Sequence, residues 1–214
     1  MEPQTERKLA AILMADVVGY SRLMSGDEAA TVRTLKACRE VFASVVERHR
    51  GRVVNAPGDS VLAEFGSVVE GVAAAVAIQQ RLAEDNRRLP EDRRMHFRIG
   101  INLGDVVVEE GAIYGDGVNV AARLEALAEP GGIWVSRNAF DQVDGKLPVA
   151  FEYMGEHSVK NIDKPLRAYR VDWETGSAPA DRAAGRPSAV VEAPALPLPE
   201  QPSIAVLPFE NMSG

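Results

Sequence analysis

LAAILMADVVGYSRLM, residues 9–24, is the stretch that organises the chain: an apolar run interrupted by one carboxylate and then by a glycine. Residues 9–18 predict a strand buried on both faces, and Asp16 near its end is costly to bury unless a cation meets it. Asp16 is therefore a candidate metal ligand. Residues 19–21 turn the chain towards a helix, so free backbone N–H groups beside the carboxylate could hold phosphate oxygens. An isolated aspartate that caps the following turn is the alternative, and a second carboxylate beside it would decide between the two.

Length and composition predict one core domain with tails. The chain has 214 residues, 46% of them hydrophobic, which is enough for one well-buried domain and too little for two ordinary ones. Its net charge of −7, with dispersed Lys and Arg, favours neither nucleic acid nor an anionic membrane as a partner. No stretch reaches the roughly 18 continuous apolar residues of a membrane span. Cys38 is the only cysteine, so no intramolecular disulfide can form and a reducing cytoplasm is expected.

Hydrophobic spacing and turn residues predict an α+β fold. Helices are expected over residues 27–50, 67–86 and 118–128, with a further short helix capped by Ser136. Strands are expected over residues 9–18, 52–55, 60–65, 97–108, 133–135, 151–155 and 166–173. The order β–α–β–β–α–β–α–β, with a hairpin between two long helices, predicts a ferredoxin-like sandwich rather than a doubly wound sheet.

Four segments are expected along the chain. Residues 1–8 are polar and predict a loose tail, and the folded domain is expected over residues 9–173. Residues 174–202 are rich in proline and alanine, which predicts a semi-extended linker. Residues 203–214 begin with an apolar, strand-like run, which would either start a further domain or pair with the first sheet.

A second carboxylate, Asp59, lies in the segment PGDS, residues 57–60, at the tip of the predicted hairpin. A ferredoxin-like sheet would place this tip beside the strand that carries Asp16. Two carboxylates on neighbouring strand ends can bridge two divalent ions, which can activate an attacking oxygen and neutralise a polyphosphate leaving group. A turn aspartate after glycine is common and is the alternative for Asp59 taken alone, so the pattern of the whole chain has to decide between the two.

Five segments in order resemble the class III nucleotidyl cyclase catalytic domain, the family of adenylate and guanylate cyclases. They are MADVVGYS (14–21), GDSVLAEF (58–65), RIGI (98–101), YGDGVNVAARL (114–124) and VKN (159–161). The resemblance covers about residues 7–173. It implies the fold of that domain, a mainly antiparallel sheet with helices packed on it, and the conversion of ATP to cyclic AMP and pyrophosphate.

The resemblance also implies a role for each matched residue. It gives two Mg²⁺ or Mn²⁺ ions per active site, with three metal ligands: Asp16, Asp59 and the carbonyl of Val17. The expected substrate contacts, besides two base-recognition positions, are Gly19, Tyr20, Ser21, Arg98 and Lys160. Asn119 and Arg123, four residues apart on one helix face, would orient the ribose and stabilise charge on the α-phosphate. A solvated helix face is the alternative for these two taken alone, and Tyr114 could either stack on substrate or pack in its loop.

Assembly and base choice follow from the same resemblance. Family members build each site across a head-to-tail dimer, so a homodimer with two shared sites is expected. Adenylate cyclases carry a lysine at the position of Asn55 and an acidic or threonine side chain at that of Ala112. Asn55 can donate and accept hydrogen bonds, whereas Ala112 can do neither. ATP is expected because the remainder resembles bacterial adenylate cyclases, and GTP is the alternative.

Two further hypotheses stay open beside an active cyclase: a nucleotide-binding regulatory domain that dimerises without turnover, and a plain interaction domain. Residues 203–209 resemble the opening of the TolB-like region that follows some bacterial cyclase domains. A sensor or scaffold domain is therefore expected to follow them.

Overall fold

A sheet of eight strands lies at the centre of the computed structural model, within residues 6–159 and 165–174, which are the residues it describes. The strands are β1 (Glu6–Val17), β2 (Gly51–Asn55), β3 (Val61–Phe65), β4 (Phe97–Glu109), β5 (Ala112–Tyr114), β6 (Ile133–Ser136), β7 (Ala150–His157) and β8 (Leu166–Asp172). The α-helices are α1 (Tyr20–Gly26), α2 (Glu28–Arg48), α3 (Val68–Asn86), α4 (Asp116–Leu127) and α5 (Arg137–Val143). A short 3₁₀ helix, Glu91–Arg93, precedes β4.

The strand order is β2-β3-β1-β4-β6-β8-β7, with β5 paired to β4. Every described pair is antiparallel except β4 with β6, which is parallel. This mixed but mainly antiparallel sheet, with helices packed on it, confirms the predicted α+β sandwich.

Alternate residues of β1 face two different cores, because side chains alternate along a strand. Leu13 packs in the main core, which α2 and α3 cover. Ile12 packs in a smaller core with Ala121 of α4. Asp16 has the same parity as Ile12, so its carboxylate lies on the face of the sheet that carries α4.

The caps of the helices agree in part with the sequence. Asp27 accepts a 2.9 Å hydrogen bond from the backbone N–H of Ala30, and Ser136 accepts one of 3.2 Å from Ala139. Both predicted N-caps are confirmed. Ser67 occupies the N-cap position of α3, but its hydroxyl makes no capping hydrogen bond there.

Strand β1 begins three residues earlier than predicted. Residues 6–8 pair with residues 106–108 of β4, because β4 continues to Glu109 and offers them a partner strand. They belong to the sheet, so the tail prediction is wrong for them. The short elements α1 and β5 were also not predicted as separate elements. Glu174 aside, the predicted linker and the apolar run at 203–209 lie outside the described residues.

The described residues all fall within one unit, Met1–Ala180. None of the helices seen in this part of the chain combines the length and the apolar character that a membrane crossing requires.

Candidate active site

The two predicted metal carboxylates lie together at one end of the sheet. Asp16 is near the end of β1, and Asp59 is in the turn between β2 and β3. Ser60 Oγ donates a 3.0 Å hydrogen bond to Asp16 Oδ1. Burial raises the pKa of Asp59, and the nearby carboxylate of Asp16 raises that pKa further. The carboxylate of Asp16 therefore disfavours the charged form of Asp59, and a cation bound between them would relieve this repulsion.

The oxygen atoms near the carboxylate pair suit Mg²⁺ or Mn²⁺, but they are too few to surround a metal ion with protein ligands alone. No group of three or more His, Cys, Asp or Glu side chains capable of holding a metal occurs within residues 6–159 and 165–174. Asp16, Asp59 and the Val17 carbonyl would supply a few oxygen ligands and leave the remaining positions to water and phosphate. Mg²⁺ prefers this arrangement because it sheds its water reluctantly.

Arg98 lies at the edge of this carboxylate pair. It is opposite Asp16 in the ladder between β1 and β4, and its Nη2 is 3.4 Å from Asp16 Oδ2. The same Nη2 is 2.9 Å from Glu125 Oε1 on α4. The side chain of Arg98 is 27% exposed, so the guanidinium reaches solvent and can meet an anion beside the metal ligands.

Glu125 was not singled out by the sequence analysis. It is only 7% exposed, and burial raises its pKa to about 7, although the charge of Arg98 lowers it. The charges of Asp16 and Asp59 raise the pKa further. Glu125 lies four residues after the buried Ala121, on the packed face of α4. This helical spacing is the feature of the sequence that could have indicated a buried carboxylate.

Arg39 on α2 is a second residue that the sequence analysis missed. Its Nη2 donates a 2.6 Å hydrogen bond to the carbonyl of Ala56 and another to the carbonyl of Gly58. Gly58 has a φ of +57°, a left-handed conformation that favours glycine. The charge of Arg39 also lowers the pKa of Asp59. Helix α2 thus anchors the turn that carries the second carboxylate.

The segment after β1 exposes backbone donors close to Asp16. Gly19 is the N-cap of α1 with a φ of +69°, and α1 starts at Tyr20. The first N–H groups of a helix have no preceding turn to bond to, so those of Tyr20 and Ser21 are free for an anion. The side chain of Tyr20 packs against the main core.

Asn119 and Arg123 are carried by α4, which lies unusually close to the sheet. A Cβ atom on Gly100 would come within 2.2 Å of the Ala121 carbonyl, so glycine is needed there for α4 to pack on β4. The side chains of Asn119 and Arg123 make no hydrogen bond or ion pair with any described residue, although the Asn119 backbone N–H donates to the carbonyl of Gly115. The structure therefore does not join them to Asp16 within one chain.

The two predicted base-recognition positions lie on strands that a hydrogen bond connects. Arg52 on β2 donates a 2.7 Å hydrogen bond to the carbonyl of Gly111, just before β5. Asn55 Oδ1, at the end of β2, accepts a 2.8 Å hydrogen bond from the N–H of Ala56, which leaves its amide as a donor. Ala112 is half-buried at the start of β5.

Tyr114, at the end of β5, is 54% exposed, so packing inside its loop does not account for the ring. Lys160 lies outside the described residues.

Comparison with known proteins points to one family. Residues 2–172 match the family described as the adenylate and guanylate cyclase catalytic domain. A protein of Rhizobium meliloti (strain 1021), named "Putative adenylate cyclase 3", is 51% identical over 209 residues, which are 97% of this chain and 34% of that protein. An adenylate cyclase of Streptomyces coelicolor is 32% identical over 137 residues, or 63% of this chain and 34% of that protein. The chain thus spans about a third of the length of these relatives.

Solved structures agree. An adenylate/guanylate cyclase/hydrolase from Silicibacter pomeroyi superposes with a TM-score of 0.74 at 39% identity, covering 79% of this chain and 99% of that one. The adenylyl cyclase CyaB of P. aeruginosa gives a TM-score of 0.70 at 23% identity over 79% of this chain and 96% of that one, which supports the fold alone. The chain belongs to the family of adenylate and guanylate cyclase catalytic domains.

Proposed function

We propose that the chain is an adenylate cyclase, which converts ATP to 3′,5′-cyclic AMP and pyrophosphate at sites shared between two identical subunits. The observation that carries the proposal is the pairing of Asp16 with Asp59 beside Arg98. Two neighbouring carboxylates, one of them with a raised pKa, and a partly exposed arginine 3.4 Å from the other form a site for metal ions and a polyphosphate.

In this reaction the ribose 3′-oxygen attacks the α-phosphorus, the bond from that phosphorus to the β-phosphate oxygen breaks, and the hydroxyl proton passes to solvent. Two Mg²⁺ or Mn²⁺ ions held by Asp16, Asp59 and the Val17 carbonyl would lower the pKa of the hydroxyl and offset charge on the pyrophosphate. Arg98 is placed to bind the departing phosphates with charge-assisted hydrogen bonds. The backbone N–H groups of Tyr20 and Ser21 add further donors for the same oxygens. Lys160 is proposed as a phosphate ligand from the family resemblance.

The other half of the chemistry falls to Asn119 and Arg123 of the second subunit. The guanidinium of Arg123 would stabilise the charge that builds on the α-phosphoryl oxygens, and Asn119 would orient the ribose. The lack of described partners for these two side chains within the chain supports this placement. Two-fold symmetry then makes both sites equivalent, because each subunit contributes the same two halves.

ATP is the substrate that we propose. Asn55 uses its carbonyl oxygen on the Ala56 N–H, so its free amide can donate to the acceptor N1 of adenine. Guanine presents a donor at N1 and would need an acceptor there. The similarity to the Rhizobium protein named as a putative adenylate cyclase supports the same choice. A guanylate cyclase is the second candidate, because Ala112 makes no hydrogen bond that would reject guanine.

The compartment that we propose is the cytoplasm. ATP is available there, and Cys38, the only cysteine of the chain, is a buried free thiol that needs no oxidising environment.

The test is product formation by the purified chain. The protein is incubated with Mg²⁺ or Mn²⁺ and either ATP or GTP, and the products are separated chromatographically. Cyclic AMP and pyrophosphate in equal amounts are expected from ATP, with loss of product in Asp16→Asn and Asp59→Asn. Glu152→Gln, an exposed acid on β7, is the matched control and is expected to retain activity. A preference for GTP would contradict the substrate, and no cyclic nucleotide from either would contradict the activity.

A further inference from the structure

A single arginine nitrogen lies between two carboxylates from different elements. Arg98 Nη2 is 3.4 Å from Asp16 Oδ2 on β1 and 2.9 Å from Glu125 Oε1 on α4. The approach to Glu125 is close but is not aligned as a hydrogen bond, and Arg98 Nε is buried without a partner among the described residues. Arg98 Nη1 also lies 3.5 Å from the carbonyl of Ala126. The guanidinium is thus confined mainly by charge.

The fold alone does not explain Glu125. Its side chain is 9% exposed on the packed face of α4, where an apolar residue or a neutral amide would cost less to bury. Arg98 is the one cation that faces Glu125 in the described part of the chain, while Asp16 and Asp59 both repel it. A carboxylate that is kept in this place at a cost in stability needs a reason beyond packing.

We propose that Glu125 is a positioning residue that holds the Arg98 guanidinium at the edge of the metal site to receive the departing pyrophosphate. The inference rests on the proposed function, in which Arg98 binds the leaving phosphates. A divalent ion bound to Asp16 would compete with Arg98 for the same carboxylate and would repel the positive charge of Arg98. Glu125 is then the carboxylate that remains within reach of Arg98. Without it, the partly exposed arginine turns towards solvent.

A positioning role and a purely electrostatic role of Glu125 predict opposite changes in the affinity for a polyanion when Glu125 is replaced. If Glu125 acted only through its negative charge, its removal would strengthen the binding of any polyanion nearby. If it acts through Arg98, its removal weakens that binding, because the guanidinium is no longer held where the phosphates arrive. Glu125→Asp also distinguishes the two roles, because it keeps the negative charge but shortens the side chain by one methylene. A purely electrostatic role would survive this change, whereas a positioning role would be weakened.

The experiment measures the Kd of pyrophosphate by calorimetry at saturating Mn²⁺ and pH 8, where Glu125 is ionised. We expect Glu125→Gln to raise this Kd about tenfold, in the range for losing a charged contact, and Glu125→Asp to raise it by less. Arg98→Ala should weaken binding at least as much, and adding Glu125→Gln to it should change little. Glu152→Gln is the matched control on β7, with wild-type binding expected.

Each other outcome has a distinct meaning. Tighter or unchanged binding in Glu125→Gln, or wild-type binding in Glu125→Asp, overturns the inference while leaving the proposed function in place, provided that Arg98→Ala weakens binding. Unchanged binding in Arg98→Ala contradicts the phosphate role of Arg98 itself, and the inference falls with it. Thermal melting of each variant confirms that the folded protein is being compared.

Discussion

Ser60 Oγ donates a 3.0 Å hydrogen bond to Asp16 Oδ1, and this bond joins the β2–β3 turn to the end of β1. Because Asp59 directly precedes Ser60 in the turn, the bond helps to fix how far apart the two carboxylates lie. Arg39 holds the other side of the turn through the carbonyls of Ala56 and Gly58. The turn that carries Asp59, the second proposed metal ligand, is therefore held by three hydrogen bonds, one to strand β1 and two from helix α2.

Metal binding should stabilise the fold through Asp16 and Asp59. If Mn²⁺ binds the native state and not the unfolded chain, then at 100 times its Kd it should add about 2.7 kcal/mol of stability and raise the Tm. Asp59→Ala is expected to abolish this shift and turnover, while its metal-free Tm stays near the wild-type value because the mutual repulsion with Asp16 is removed. Melting curves with Mn²⁺ and with chelator measure both. An undiminished Mn²⁺ shift in Asp59→Ala would contradict the metal assignment.

Arg39 should matter for metal use although it touches no ligand atom. Arg39→Ala frees the carbonyls of Ala56 and Gly58, so the turn that carries Asp59 loses its anchor on α2. We expect a higher half-saturating Mg²⁺ concentration and a loss of turnover of about tenfold, the size of one lost hydrogen bond of a charged group. Arg39→Lys should recover part of both. Metal titrations of activity, with circular dichroism as the control for folding, test this, and an unchanged Mg²⁺ requirement would rule it out.

Asn55 should control the choice of base. Asn55→Asp keeps the shape and the acceptor for the Ala56 N–H but replaces the free donor by an acceptor. The kcat/KM for ATP is expected to fall about tenfold and the ratio of GTP to ATP use to rise, because an unmatched polar group at the base edge costs about 1–3 kcal/mol. Competition between the two nucleotides measures the ratio. The same ratio in wild type and variant would remove Asn55 from base recognition.

Glu125 should lower the stability of the folded protein at high pH. Its pKa is raised to about 7 from 4.5, so the native state holds the proton more firmly than the unfolded chain does. Its contribution to stability therefore falls as the pH rises from about 4.5 to about 7. Glu125→Gln should melt like wild type at pH 4, below both pKa values, and at a higher temperature than wild type at pH 8. A lower Tm of the variant at pH 8 would show that the pair with Arg98 outweighs the burial of the charge.

The sequence predicts the features of this fold that local patterns control. The apolar run around Leu13 indicates a central strand, and the turn residues before Asp59 indicate the hairpin that carries the second carboxylate. Asp27 indicates the start of α2 because an N-cap needs only its own helix. The ferredoxin-like order of elements then places Asp16 and Asp59 on neighbouring strand ends.

Contacts between distant elements are what the sequence does not show. Arg39 looks like any polar residue of a long helix until the chain folds back and puts the Ala56 carbonyl beside it. Glu125 becomes significant only when α4 packs over β4, which depends on the missing side chain of Gly100. The start of β1 depends in the same way on the length of its partner β4. Pattern and propensity carry no information on such pairings.

The central claim is that Asp59 and Arg123 act on one nucleotide from two subunits, and mixing two inactive variants tests it most directly. Asp59→Ala homodimers should show almost no turnover, and Arg123→Ala homodimers should turn over about 10²–10³ times more slowly than wild type. In a mixed dimer one interface carries both defects and the other carries none. Random exchange makes about half of the dimers mixed, each with one intact site of two, so about a quarter of wild-type activity should return. Recovery to that level, well above either variant alone, is the predicted result; no recovery despite demonstrated subunit exchange would contradict the shared site.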